Sequence, residues 1–281
     1  MNLSHVLESM DVLEVATGFQ RAGGPVWHPA DCYLLFSDIA ADAIYRYEVG
    51  AEPRPWRKPS NNASGLTLDR QARLIACERG KRRISRTEAD GSTVTLVARY
   101  QDQRLNSPYD AVVRSDGTVF FTDPSDGVRQ EDQELPFDGV YSLSPGGDLV
   151  LLAADFNRPS GLAFSPDEAT LYVADMAVKH IRAFDVAADG ALANGRVFAD
   201  LRTELPGGPA GIAIDEMGNL CVAGPGGIWI FHPEGELYGV ARTPQQPASL
   251  AFGGPDFHTL YITAQTGLYS LRTLFEGLHV F

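Results

Sequence analysis

Four acidic residues, Asp38, Glu78, Asp123 and Asp175, hold one place in a recurring pattern: each closes an apolar run that follows a polar turn. Carboxylates gathered on one rim repel one another until some keep a proton near neutral pH, a state suited to general acid–base work. The same residues can also each cap a turn by accepting backbone N–H groups. A second set of positions opens the preceding run of each repeat and reads Gly23, Ser64, Tyr109, Ser160, Ala210 and Ala248. Tyr109 offers a phenol that can polarise a carbonyl or pass a proton, or else an aromatic plug. Ser64 and Ser160 offer hydroxyl donors to a developing oxyanion.

Three further polar residues are candidates for holding a substrate. Arg104 and Asn106, in "RLNSP", suit a carboxylate or a sugar hydroxyl. His180, in "MAVKHIRAF", falls in a connection near the same rim, and histidine is the most versatile proton carrier among side chains. Several signatures are missing: no GxSxG elbow, no HExxH, no phosphate-binding P-loop and no GxGxxG between a strand and a helix. No cofactor is therefore expected.

The elements that would position these residues repeat six times. "GGPVWHPADCYLLFSDI", "SGLTLDRQARLIACER", "YDAVVRSDGTVFFTDP", "SGLAFSPDEATLYVAD", "AGIAIDEMGNLCVAGP" and "ASLAFGGPDFHTLYITA" each join two apolar runs through a polar turn. A third β-like run follows each, such as "AIYRYEV" or "GVYSLS", then a fourth, such as "LVLLAAD". Alternation and enrichment in Val, Ile, Tyr and Phe argue strands. Four strands per unit of about 40–50 residues is the signature of a β-propeller blade. The expected fold is all-β: one six-bladed propeller domain spanning 1–281, its blades four-stranded and antiparallel. The leading run "DVLEVATGF" should complete the last blade. If the first run is innermost, its opening residue and the end of the second run share one mouth of the central channel.

Composition narrows the partners. The chain has 281 residues, 44% of them hydrophobic, and a formal net charge of -13, which repels nucleic acid and anionic lipid alike. No run of eighteen apolar residues would span a membrane. The basic stretch "RGKRRISR" (Arg79 to Arg86) reads as a solvated face. Cys32, Cys77 and Cys221 lie in apolar runs without a CxxC pair and read as buried free thiols. With no signal-peptide pattern at the start, the expected location is the cytoplasm.

The stretches "GPVWHP", "LLFSDI", "GLTLDRQARLIACERG", "RLNSP", "GTVFFTDP", "GVYSL", "GLAFSPDEATLYVAD" and "LAFGG" resemble the gluconolactonase family. That family also contains senescence marker protein-30 (regucalcin) and luciferin-regenerating enzyme, and the likeness runs along nearly the whole chain. It implies a six-bladed propeller whose funnel holds a divalent cation that opens sugar lactones by polarising the carbonyl and activating water. The four ligand positions it implies are here Gly23, Tyr109, Ser160 and Ala210, and the motif "NGLT" is "SGLT", with Ser64. Glycine and alanine bring no side-chain oxygen, and a hard cation needs several. No metal is expected at that place.

Three expectations result. The first is a metal-free site acting on a small lactone, sugar acid or related cyclic carbonyl compound, by hydrolysis or by elimination or isomerisation. In it Tyr109, Asp123, Asp175 and Glu78 are catalytic, while Ser64, Arg104, Asn106, Ser160 and His180 hold the substrate. The second is a silent propeller that binds a metabolite or a protein partner. The third is a metal-dependent lactonase with the shifted ligands Asp38, Asp110, Asp123 and Asp175.

Overall fold

Residues 2–278 are described in a computed structural model. Six four-stranded antiparallel sheets follow one another around a central channel, each strand pairing with the next in sequence. Blade 1 comprises Ala22–His28, Tyr33–Asp38, Ala43–Glu48 and Arg54–Arg57; blade 2 comprises Ala63–Leu68, Leu74–Glu78, Arg83–Thr87 and Thr93–Val97. Blade 3 runs Ala111–Val113, Val119–Asp123, Asp138–Leu143 and Leu149–Phe156, and blade 4 runs Pro159–Phe164, Thr170–Asp175, His180–Val186 and Leu192–Asp200. Blade 5 is Ile212–Ile214, Leu220–Gly224, Gly227–Phe231 and Leu237–Arg242. Blade 6 takes Pro247–Gly253, Thr259–Ala264 and Gly267–Arg272, and borrows its outermost strand, Leu13–Thr17, from the start of the chain. That closure leaves the ring without an unpaired junction.

The second strand of each blade is buried on both faces, because neighbouring blades cover it from either side. Tyr33–Asp38, Leu74–Glu78 and Val119–Asp123 are buried throughout. These segments therefore read as continuous apolar runs, whereas the outermost strand Thr93–Val97 is largely exposed. Stacked rings such as Phe121 and Tyr141, 5.2 Å apart, fill the layers.

Glycines set how closely the inner strands approach. A Cβ on Gly24 would collide with the Ser64 carbonyl, one on Gly161 with the Ala210 carbonyl, and one on Gly211 with the Ser249 side chain. The space supports main-chain bonds between blades: Gly65 N to Tyr109 O (2.8 Å), Gly161 N to Ala210 O (2.9 Å) and Gly211 N to Ala248 O (3.2 Å). The glycine after the opener in blades 1, 2, 4 and 5 is thus required by blade-to-blade contact.

Two sequence expectations are corrected here. Cys77 and Cys221 are buried free thiols, but Cys32 is exposed, in the turn ahead of Tyr33–Asp38 at φ 51°. The stretch Arg79 to Arg86 is no solvated face, since Arg79, Arg82 and Arg83 turn inward. A small hairpin, Arg99–Tyr100 with Gln103–Arg104, was also not foreseen. No helix among the described residues is long and apolar enough to cross a membrane.

Candidate functional site

Openers of adjacent blades lie against one another, and the two serines among them are engaged by the scaffold. Ser64 Oγ donates to Tyr109 O at 2.7 Å, and Ser160 Oγ to Pro209 O at 2.9 Å; both serines are buried. Ser37 Oγ and Thr122 Oγ1 add matching bonds to the Ser64 and Ser160 carbonyls. The hydroxyls expected to meet a substrate oxygen form a girdle between blades instead.

The four acids follow an equally regular plan. Asp38 accepts from the amides of Gln20 and Arg21, Asp123 from that of Asn106, and Asp175 from those of Asn157, Ala177 and Val178. Glu78, fully buried, takes Arg83 Nε at 2.7 Å, Arg57 Nη2 at 3.4 Å, Asn61 Nδ2 and Ser85 Oγ. Each carboxylate clamps the chain as it enters the inner strand of its own blade. Where the sequence suggested mutually repelling carboxylates, the structure has four anchored ones, held by backbone amides or by guanidiniums. One of them is incompletely satisfied: Asp123 Oδ1 has no hydrogen-bond partner, and burial pushes that carboxyl up to about 8.

Asn106 is also a structural residue here. It is fully buried, and its Nδ2 donates to Phe137 O. His180 opens the third strand of blade 4, opposite Asp175 and Asp200, on neither wall of the two cavities described next.

Blade 3 and the segment leading into it contribute to the walls of two cavities that share no lining residue. An apolar channel of about 460 Å³ runs through the propeller, lined by inner-strand residues such as Val26, Leu66, Val112, Phe164, Ile214 and Leu250, with Asp110 on its wall. Outside the openers lies a basin of about 550 Å³. Its wall carries Arg21, Arg79, Arg82, Arg104 and Arg129, with Ser107 and Asp132. Between Ser107 on the basin wall and Asp110 on the channel wall stand Pro108 and Tyr109.

Asp110, which the sequence offered as a shifted ligand, lies on the channel wall with a strongly perturbed carboxyl. Blades 1, 2, 4 and 5 place glycine after the opener, whereas blade 3 places this aspartate. Desolvation raises its carboxyl to about 7, offset in part by the hydrogen bond that its Oδ1 accepts from Ala111 N. Tyr109 has its phenol raised by burial and by Asp110, and lowered by Arg79, Arg21 and Arg158. Asp126 pins two of those guanidiniums, Arg79 at 3.0 Å and Arg158 at 2.8 Å. The signal in the sequence was the break in the small-residue–glycine pattern at "YD".

These donors do not fit a hard cation. Gly23 and Ala210 have no side-chain oxygen, and the Ser160 hydroxyl is committed to Pro209 O. Of the shifted set, Asp38, Asp123 and Asp175 are tied to their own backbone turns, leaving Asp110 alone. Among the described residues no three His, Cys, Asp or Glu side chains converge as a metal site.

Comparison with known proteins places this geometry in context. Residues 22–266 match the SMP-30/Gluconolactonase/LRE-like region. The gluconolactonase of Zymomonas mobilis is 33% identical over 298 aligned positions, covering 96% of this chain and 84% of that protein. The solved gluconolactonase of Xanthomonas campestris superposes with a TM-score of 0.89 at 34% identity, covering 96% of this chain and 92% of the other. A calcium-binding regucalcin of Agrobacterium tumefaciens, 18% identical, shares the fold at a TM-score of 0.78, over 97% of this chain and 94% of its own.

Proposed function

This chain belongs to the SMP-30/Gluconolactonase/LRE-like family, and we propose that it hydrolyses a small lactone with Tyr109 and Asp110 in place of a bound cation. Relatives bearing the name gluconolactonase support the reaction class. The observation that carries the residue assignment is Asp110, a carboxyl poised at about 7 on the channel wall and next in sequence to Tyr109.

A carboxylate of that basicity suits a general base at neutral pH. Asp110 removes a proton from water as the water oxygen bonds to the lactone carbonyl carbon. The Tyr109 hydroxyl donates to the carbonyl oxygen as negative charge builds there, in the positive field of Arg79, Arg21 and Arg158. The acyl–oxygen bond of the ring then breaks, the leaving alkoxide takes the proton from Asp110, and a hydroxy acid results. Glu78, Asp123 and Asp175 hold the inner strands in place and Ser64 and Ser160 hold the blades together, so none of them touches substrate in this mechanism.

The deciding experiment measures the metal content of the purified protein and its hydrolysis of a panel of aldonolactones before and after exhaustive chelation. Turnover that resists chelation is expected. Stoichiometric metal with chelator-sensitive turnover would overturn the assignment. No turnover under any condition, with a metabolite still raising Tm, would leave a binding propeller.

A further inference from the structure

The basin outside the openers is built from cations in a chain that is strongly anionic overall. Arg21 and Arg104 line it, and neither guanidinium has a hydrogen bond or ion pair among the described residues. Arg82 is 7% exposed; its Nε bonds the Leu105 and Asn106 carbonyls, its Nη1 bonds Asp132 O, and its Nη2 is buried with no partner. Arg79 is held on the wall through Ser107 Oγ and Asp126. Two of the five spend their charge locally, Arg79 on Asp126 and Arg129 on Glu131 and Asp132.

A buried guanidinium nitrogen without an acceptor is costly, and guanidiniums crowded together raise that cost. Burial, with Arg104 next, holds the Arg82 guanidinium below its ordinary range, although Glu134, Asp123 and Asp132 oppose the shift. Asp132 is the one carboxylate on the wall. Planar, multi-donor arginine heads match the oxygen geometry of carboxylate and phosphate groups.

We propose that this basin is an oxyanion subsite: Arg21, Arg82 and Arg104 receive a carboxylate or phosphate carried by the substrate, at the end remote from the bond that reacts. The inference deepens the lactonase reading and rests on it for the word substrate, but the binding itself is separable. The lactone would accordingly bear a fixed negative charge on a carbon outside its ring.

The test is calorimetric titration of the full chain at low salt with glucuronate, glucose 6-phosphate and glucose, repeated with Arg21→Gln, Arg104→Gln and Tyr109→Phe. Glucuronate and glucose 6-phosphate present the two anion types on a carbon outside the ring, and glucose is the neutral control. At least tenfold tighter binding of one anion than of glucose is expected, weakened about tenfold in each arginine variant and by added salt, and kept in Tyr109→Phe. Preference for glucuronate assigns the site to carboxylate, and preference for glucose 6-phosphate to phosphate. Equal binding of all three ligands, no binding of either anion, or arginine variants that bind as the parent does would each overturn the proposal. Anion binding without lactone turnover would uphold the subsite while removing the proposed reaction.

Discussion

The Oγ of Ser64 donates to the main-chain carbonyl of Tyr109 at 2.7 Å, and Gly65 N bonds that same carbonyl at 2.8 Å. The opener of blade 2 thereby fixes the backbone of the residue to which the chemistry is assigned. The Tyr109 carbonyl is consumed by the scaffold, and its phenol makes no hydrogen bond among the described residues.

This relationship separates structure from catalysis. Ser64→Ala should lower stability by about 1 kcal/mol, the usual worth of such a bond, and should reduce turnover only modestly. Thermal unfolding together with initial rates checks it. Loss of turnover with an unchanged Tm would mean that the hydroxyl meets substrate after all.

Tyr109→Phe keeps the ring and removes one oxygen. Lactone turnover should fall on the order of 10²–10⁴-fold, the range for a lost acid–base partner, with Tm near that of the parent. Full activity in this variant would leave Tyr109 as a plug.

Asp110 predicts a pH profile. The base form is the ionised one, so kcat/KM should rise as pH climbs through about 7 and level off above it. Asp110→Asn should abolish that limb together with most of the activity. An ascending limb retained in Asp110→Asn would move the base elsewhere.

Stability should depend on pH through Asp123. Its folded carboxyl is raised to about 8, above the ordinary value near 3.9, so the folded state binds the extra proton between those limits. The contribution is complete below about pH 4 and is lost as pH rises towards about 8. The parent should therefore lose more Tm between pH 5 and pH 8 than Asp123→Asn does, which differential scanning calorimetry of both proteins would resolve.

Glu78→Gln tests the clamp on blade 2. Two guanidiniums, Arg57 and Arg83, would lose their buried counter-charge, at a cost of about 3–5 kcal/mol. Chemical denaturation should show that loss, while the fraction that remains folded keeps its kcat. A stable but inactive variant would return Glu78 to the reaction.

The blades were legible in the residue order because their cause is local and repeated. Apolar runs of fixed spacing, turn residues between them and a glycine where the next inner strand presses close are all one-dimensional signals, and the leading run "DVLEVATGF" announced its place in the last blade. The loss of oxygen donors at Gly23 and Ala210 was equally visible, since it depends on residue type alone. What the side chains of the mouth do depends on partners brought from elsewhere in the chain. Asp38 and Asp123 find their amides 18 and 17 residues earlier, across the sheet edge, so the same acids that read as a reactive ring became anchors. The run from Arg79 to Arg86 carries no apolar residue but Ile84 and so looked solvated. Its arginines turn inward because Glu78 faces Arg83 across a hairpin of blade 2, while Asp126 and the carbonyls of Leu105 and Asn106 come within reach only after blades 2 and 3 pack together. Tertiary structure alone moved the charge of this acidic chain into a basic basin, and it singled out Asp110, whose basicity comes from burial at the one opener pair in blades 1 to 5 where the glycine is missing.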